Sequence, residues 1–318
     1  MDAAALAAFT PISLNLTPQA PSVDWGDLAG LRFSEPFFDQ TVERWAGGSA
    51  PRLVRTDLAA LEALDAAPSL DPAAFVFHLS RCGSTLVSRL LARVPGMVVV
   101  AEPKPLNTLL LAGPETLGEA GTTRLLRLLV RALGRRRFGD ERHYVLKLSS
   151  WNICRLDLFR RAFPDAKLIW VQREPAEVLA SLMADPPGWL ALGRAPELAE
   201  RLFGLAPPEL PALDPPGFCV RALAAMLAAA EAAGDAALTV DYRELPDAVW
   251  TRIAPFLGRA LGADEIAPLR EEARYHSKHR DRRLFTGDPP ERRALPAALR
   301  ALAAEWLGPR YRALGARG

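Results

Sequence analysis

The unit at 73–94 constrains this chain most. It consists of an apolar run, AAFVFHLS (73–80), a short polar loop, RCGST, and then TLVSRLLARV, in which Leu86, Leu90, Leu91 and Val94 share one helical face. An apolar run of that length bounded by loop residues reads as a strand buried on both faces. Strand-like runs recur at MVVVA (97–101), HYVLKL (143–148), KLIWVQ (167–172) and ALTVDY (237–242). Helical patterns lie around 121–137, 152–162, 175–184 and 217–233. Strands alternating with helices predict an α/β fold with a parallel sheet covered on both faces.

The remaining sequence sets the limits. At 318 residues the chain has room for one large domain or for a domain with an appendage. Its 39 Lys+Arg against 37 Asp+Glu leave a charge of +2, so bulk attraction to nucleic acid or an anionic membrane is not expected. Cys82, Cys154 and Cys219 are odd in number and lack metal or disulfide spacing, and the N-terminus lacks the basic start of a signal peptide. Charged residues interrupt every long apolar stretch, and together these features predict a cytoplasmic protein. Residues 1–70, with Trp25, Phe33, Phe37, Phe38 and Trp45 among Pro, Gly and Ala clusters, predict short helices or irregular chain, acting as a cap on a main domain at 71–318 or as an oligomer contact. Eight prolines between Asp185 and Gly217 exclude one continuous helix there and leave either a lid or a rigid excursion.

A strand, a short loop and a helix N-terminus form an anion site, because unpaired N–H groups and the positive end of the helix dipole face the ligand. Against GxxxxGK[ST], the segment from His78 to Thr85 keeps the second glycine (Gly83) and the terminal hydroxyl. His78 replaces the first glycine and Ser84 the lysine. Loss of the lysine argues against ATP or GTP hydrolysis, and Arg81 offers a replacement cation. The sequence S-R-C-G-S-T-L, Ser80 to Leu86, resembles the 5′-phosphosulfate loop of the sulfotransferase family, with Ser80 in place of the usual proline. R-E-P-A-E-V-L-A-S, Arg173 to Ser181, resembles that family's 3′-phosphate motif. An arginine at a strand end and a serine two turns into the next helix can meet on one phosphate.

The resemblance implies a P-loop NTPase-like three-layer sandwich and a sulfotransferase using 3′-phosphoadenosine 5′-phosphosulfate as co-substrate, without a metal. Glu102, in VVVAEP, and Lys147, in YVLKLS, resemble the general base and catalytic lysine of the tyrosylprotein branch and its bacterial relatives. The resemblance implies that Glu102 takes the acceptor's proton, with His78 the next candidate, while Lys147 and Arg81 stabilise developing charge. Arg81, Cys82, Gly83, Ser84, Thr85 and Leu86 would hold the phosphosulfate, and Arg173 and Ser181 the 3′-phosphate. Tyr242, in LTVDYREL, is either a nucleotide contact or a buried strand-end aromatic. Ser277 and Lys278, in YHSKHRDRRLFTG, either close over the nucleotide or belong to a solvated charge run.

Arg124, Arg127, Arg131 and Arg135 recur on one helical face, which reads as solvated or as an acidic-partner surface. His276 and His279 have possible metal spacing but no third ligand. Cys82 beside Arg81 at a helix start has a setting that lowers a thiol pKa. The expected partner is a small-molecule or peptide hydroxyl, and oligomeric state stays open. Two alternatives remain: a P-loop phosphotransferase, and a nucleotide-binding regulatory module without chemistry.

Overall fold

The computed structural model describes residues 6, 8–48, 50–278, 281–287 and 295–316. Its centre is a five-stranded sheet of β4 (Ala74–His78), β5 (Met97–Ala101), β6 (His143–Lys147), β7 (Lys167–Gln172) and β8 (Ala237–Asp241), in the order β5-β6-β4-β7-β8. Every neighbouring pair is parallel. All five strands match the runs read from the sequence to within two residues at either end.

Strand alternation divides the core into two layers. Phe75, Phe77, Tyr144, Leu146 and Trp170 face α3 (Lys104–Leu133), α4 (Leu156–Ala162), α5 (Pro175–Ala184) and α7 (Pro215–Ala232). Val76, Val145, Ile169, Val171 and Val240 face α2 (Ser84–Leu91), the π-helical turn Val249–Ile253 and α8 (Ala263–Glu272). The aromatic face takes the larger helical layer, where Phe75 and Phe77 each meet Phe159 edge-on. The three-layer α/β architecture expected of the chain is therefore present.

Three expectations need correction. Residues 10–56 hold an antiparallel sheet, β1 (Thr10–Asn15), β2 (Ser22–Gly26) and β3 (Leu53–Thr56), in addition to α1 (Phe38–Ala46), and are not short helices and irregular chain alone. The strands are only four to six residues long, and β2 pairs with β3 across about 30 residues of chain, a partnership that local periodicity does not reveal. Trp25 is fully buried there and donates to Thr56 Oγ1 at 2.8 Å. α3 begins 17 residues before the predicted 121 and runs across a non-helical Gly118 with Pro114 inside, the residues that had obscured its first half. The arginine face ends at Arg131, since Arg135 lies beyond the helix, is buried, and donates to the carbonyls of Leu6 (3.2 Å) and Phe9 (2.7 Å). Arg124 and Arg131 pair with Glu62, Asp65 and Asp71.

The proline-rich stretch folds into a 3-10 helix, Gly188–Arg194, then α6 (Pro196–Phe203) and a short 3-10 turn, Leu210–Ala212. Among the described residues no helix is long and apolar enough to cross a membrane. Two further helices, α9 (Ala297–Trp306) and α10 (Gly308–Gly315), pack against α7.

Candidate active site

A cleft of about 1300 Å³ lies across the carboxyl ends of the parallel strands, where open α/β sheets bind ligands. Each strand delivers one group to it. β4 leads into the loop carrying Arg81, β5 into Glu102, and β6 ends on Lys147. β7 leads into Arg173 and β8 into Tyr242. Because β4 lies between β6 and β7, the loop sits between the Glu102–Lys147 pair and Arg173. Ser181, Ser277 and Lys278 line the same cleft, so every residue singled out from the motifs converges on it.

The loop has an unusual backbone. Ser80 (φ 68°), Arg81 (φ 47°) and Gly83 (φ 83°) all have positive φ, with Cys82 between the last two outside that region, and tight turns of this kind can gather consecutive backbone N–H groups into an anion-binding concavity. Proline's ring locks φ near −65°, so the usual family residue could not adopt the conformation of Ser80. Gly83 caps α2, and a Cβ there would come within 2.7 Å of Leu245 Cδ1 and 2.9 Å of Tyr242 Cδ2. Gly83→Ala is therefore expected to cost about 1–2 kcal/mol for the left-handed backbone alone, with more for the two contacts. A melting curve unchanged from wild type would refute that account.

His78 fixes the loop's start. A carbonyl can only accept, so Nε2–H donates to Leu148 O at 2.9 Å and Nδ1 accepts from Ser80 N–H at 3.0 Å. Burial first, and then the Lys147 charge, pushes the ring pKa below its ordinary value. With both nitrogens engaged, His78 is a poor substitute for a general base.

Glu102 (φ 51°) pairs with Lys147, which is buried, and accepts from Ser149 Oγ at 3.0 Å. Burial pushes its carboxyl up, but the Lys147 ammonium and the His78 ring outweigh this and hold it well below the usual carboxylate range. Ser149 Oγ in turn accepts from Asn107 Nδ2 (3.0 Å). Asn152 donates to Asn107 Oδ1 (3.2 Å) and accepts from Ser149 N–H (2.8 Å). This closed network of three side chains behind Glu102 was not read from the sequence, because Asn107 lies 42 and 45 positions from Ser149 and Asn152 and none of the three carries a motif.

The arginines also have carboxylate partners. Arg81 pairs with Asp185 Oδ2 (2.5 Å) and donates to the Asp185 carbonyl, while its Nε is buried with no partner among the described residues. Arg173 is buried, with Nε on Glu177 Oε2 (2.6 Å) and its guanidinium 4.2 Å from the Tyr242 ring centre. Tyr242 is half-buried and packs against both the loop glycine and the second arginine. Glu177 was legible as an i,i+4 partner of Arg173; Asp185, 104 residues from Arg81, was not.

Cys82 is a correction. It is fully buried, donates to Val171 O at 3.2 Å, and burial pushes its thiol up to about 11, the opposite of the lowered value its neighbours suggest. Lys278 is exposed to solvent, yet desolvation by the cleft around it first, and then the charges of Arg81 and Lys147, drive it down to about 8. Its segment is anchored from beneath, where Arg89 of α2 pairs with Glu272 and donates to the carbonyls of His276 (3.1 Å) and Ser277 (3.2 Å). His279 lies outside the described residues. Among the described residues no group of three or more potential metal ligands occurs.

A family model described as the sulfotransferase family matches residues 72–190. That segment is similar to the family and contains both phosphate motifs, Glu102 and Lys147. No curated protein matches the chain. Among solved structures, the sulfotransferase STF9 from Mycobacterium avium is similar with 18% identity and a TM-score of 0.43, covering 76% of this chain and 77% of that one. The sulfotransferase domain of the Synechococcus PCC 7002 olefin synthase is similar with 20% identity and a TM-score of 0.40, covering 76% and 89%. Likeness at that level carries no argument of its own.

Proposed function

We propose that the protein transfers a sulfuryl group from 3′-phosphoadenosine 5′-phosphosulfate to the hydroxyl of an acceptor. The observation that carries this reading is the pair of arginines, Arg81 and Arg173, on adjacent strand ends of one cleft, one beside a helix N-terminus and the other stacked on Tyr242. A nucleotide with anionic groups at both its 5′ and 3′ positions suits that spacing of cations. The residues fit it further in that the buried Arg81 Nε has no partner among the described residues and the loop has positive φ at three positions.

When bound, the donor supplies an activated sulfuryl group on a good phosphate leaving group. In this reading Glu102 receives the acceptor's proton, and Lys147, Arg81 and the loop N–H groups stabilise charge on the sulfuryl oxygens and the departing phosphate. Ser84, Thr85 and Leu86 hold the 5′ end from the start of α2, and Arg173 and Ser181 hold the 3′-phosphate. Ser277 and Lys278 border the nucleotide, where an anion would raise the Lys278 pKa back towards its ordinary value.

Incubation with radiolabelled donor and an extract of producing cells is expected to give a labelled product, and to give it undiminished in EDTA, because Lys147 and Arg81 provide the cations that the transferring group needs. Transfer from ATP with strict dependence on added Mg²⁺ would favour a phosphotransferase instead. Tight nucleotide binding with no labelled product would favour the regulatory module.

A further inference from the structure

Resting on the sulfuryl-transfer reading, we infer that the apolar part of the cleft beside Glu102 is an acceptor subsite for the hydroxyl of an uncharged aromatic or alkyl body. Five side chains from four segments wall it: Phe37 at the start of α1, Leu111 of α3, Trp151, and Trp189 and Leu192 of the proline-rich insert.

Their placement follows from the contacts around the base. The Phe37 ring lies 5.2 Å from Lys147 Nζ, which pairs with Glu102. Trp151 follows two residues after Ser149, which donates to Glu102. Leu111 stands one turn beyond Asn107, which donates to Ser149. The insert is tied across this region at two points. Asp185 holds Arg81 at one end, and at the other Arg201 of α6 engages Glu115 and the Leu111 carbonyl. Trp189 and Leu192 lie between those ties, with the Trp189 ring 6.2 Å from Phe203.

Charge decides what such a space admits. The five walls carry none. Arg81, Lys147 and Arg173 are each paired with a carboxylate and, in the reading above, serve the donor's own negative charges, and Lys278, the further lysine lining the cleft, belongs to the segment that borders the nucleotide. An anionic acceptor would bring a further negative charge beside Glu102 into apolar surroundings, which is costly without a new cation. A neutral body would bury apolar surface against two tryptophans, a phenylalanine and two leucines. In the reaction the acceptor oxygen forms a bond to sulfur as the bond from sulfur to the 5′-phosphate oxygen breaks. The bonding pair leaves with the phosphate, and the hydroxyl proton passes to Glu102.

Binding tests this without turnover. The protein is first titrated calorimetrically with 3′-phosphoadenosine 5′-phosphate, and the saturated complex is then titrated with 2-naphthol and with 6-hydroxy-2-naphthoate. 2-Naphthol is expected to bind at least about tenfold more tightly, and Phe37→Ala and Trp189→Ala are each expected to weaken it about tenfold while affinity for the bisphosphate stays unchanged. Equal or tighter binding of the naphthoate would overturn the inference. So would absence of naphthol binding, or naphthol affinity unaltered in both variants when their melting curves show them folded. Failure of the bisphosphate to bind in the first titration would instead bring down the sulfuryl-transfer reading, and this inference with it.

Discussion

Glu102→Gln is expected to lower turnover by about 10² to 10⁴-fold while leaving affinity for 3′-phosphoadenosine 5′-phosphate nearly unchanged. The amide keeps the shape of the carboxylate and can still accept from Ser149 Oγ, so the network through Asn107 and Asn152 stays in place. What is lost is a group able to take a proton. The ion pair with Lys147 sharpens the expectation. In the ligand-free protein it holds Glu102 well below the usual carboxylate range, which makes the carboxylate a weak base. Anionic sulfuryl oxygens beside Lys147 would offset part of the ammonium's field and raise the Glu102 pKa towards its ordinary value. Base strength would then appear only with the donor in place, when it is of use.

The sign of the pH effect follows. A carboxyl whose folded pKa is depressed contributes stability that is present above its unfolded pKa and is lost as pH falls through the folded one. Glu102 is therefore expected to stay ionised, and the ion pair intact, through the range in which ordinary carboxylates titrate. Rate measurements on wild type and Glu102→Gln at saturating donor decide the matter. Turnover of the variant within about threefold of wild type would move the base elsewhere, and the geometry of His78 leaves it no free ring nitrogen for the task.

The parts of this site that were legible in the sequence are those fixed by local chain geometry. The loop at Arg81 and the unit at Arg173 are each a strand end running into a helix, and their residue types are dictated within fewer than ten positions. The five strands were legible for a similar reason, since burial on both faces leaves continuous apolar runs. What was hidden depends on pairing between distant segments. Asp185 meets Arg81 across 104 residues, and Ser149 meets Glu102 across 47. β2 finds β3 only after α1 has intervened. The thiol of Cys82 shows the limit from another side. Its neighbours in sequence, an arginine and a helix start, suggest a lowered pKa, but the Cys82 side chain is fully buried, and desolvation outweighs both.

Arg173→Ala is expected to weaken binding of 3′-phosphoadenosine 5′-phosphate about tenfold to a hundredfold, and to leave adenosine 5′-phosphosulfate, which lacks the 3′-phosphate, almost untouched. The magnitude is that of one charge-assisted contact of about 1.5–3 kcal/mol. The structure adds two conditions. The first is that Arg173 already holds Glu177 through Nε, so a phosphate would share or displace that carboxylate, and the net loss on removing the arginine should fall towards the lower end of the range. The second is that the guanidinium packs on Tyr242, whose ring also abuts Gly83. Removing it could loosen the loop at the 5′ end, and that damage would appear as a loss for both nucleotides. Arg173→Lys separates the two effects: it keeps a positive charge near the 3′-phosphate but loses the planar fork and its stacking. Selective loss of the bisphosphate in Arg173→Ala, partly recovered in Arg173→Lys, supports the 3′-phosphate assignment. Equal losses for both nucleotides in calorimetric titrations, with melting curves confirming a folded variant, would make Arg173 a structural arginine and remove the feature that distinguishes this donor from an ordinary adenine nucleotide.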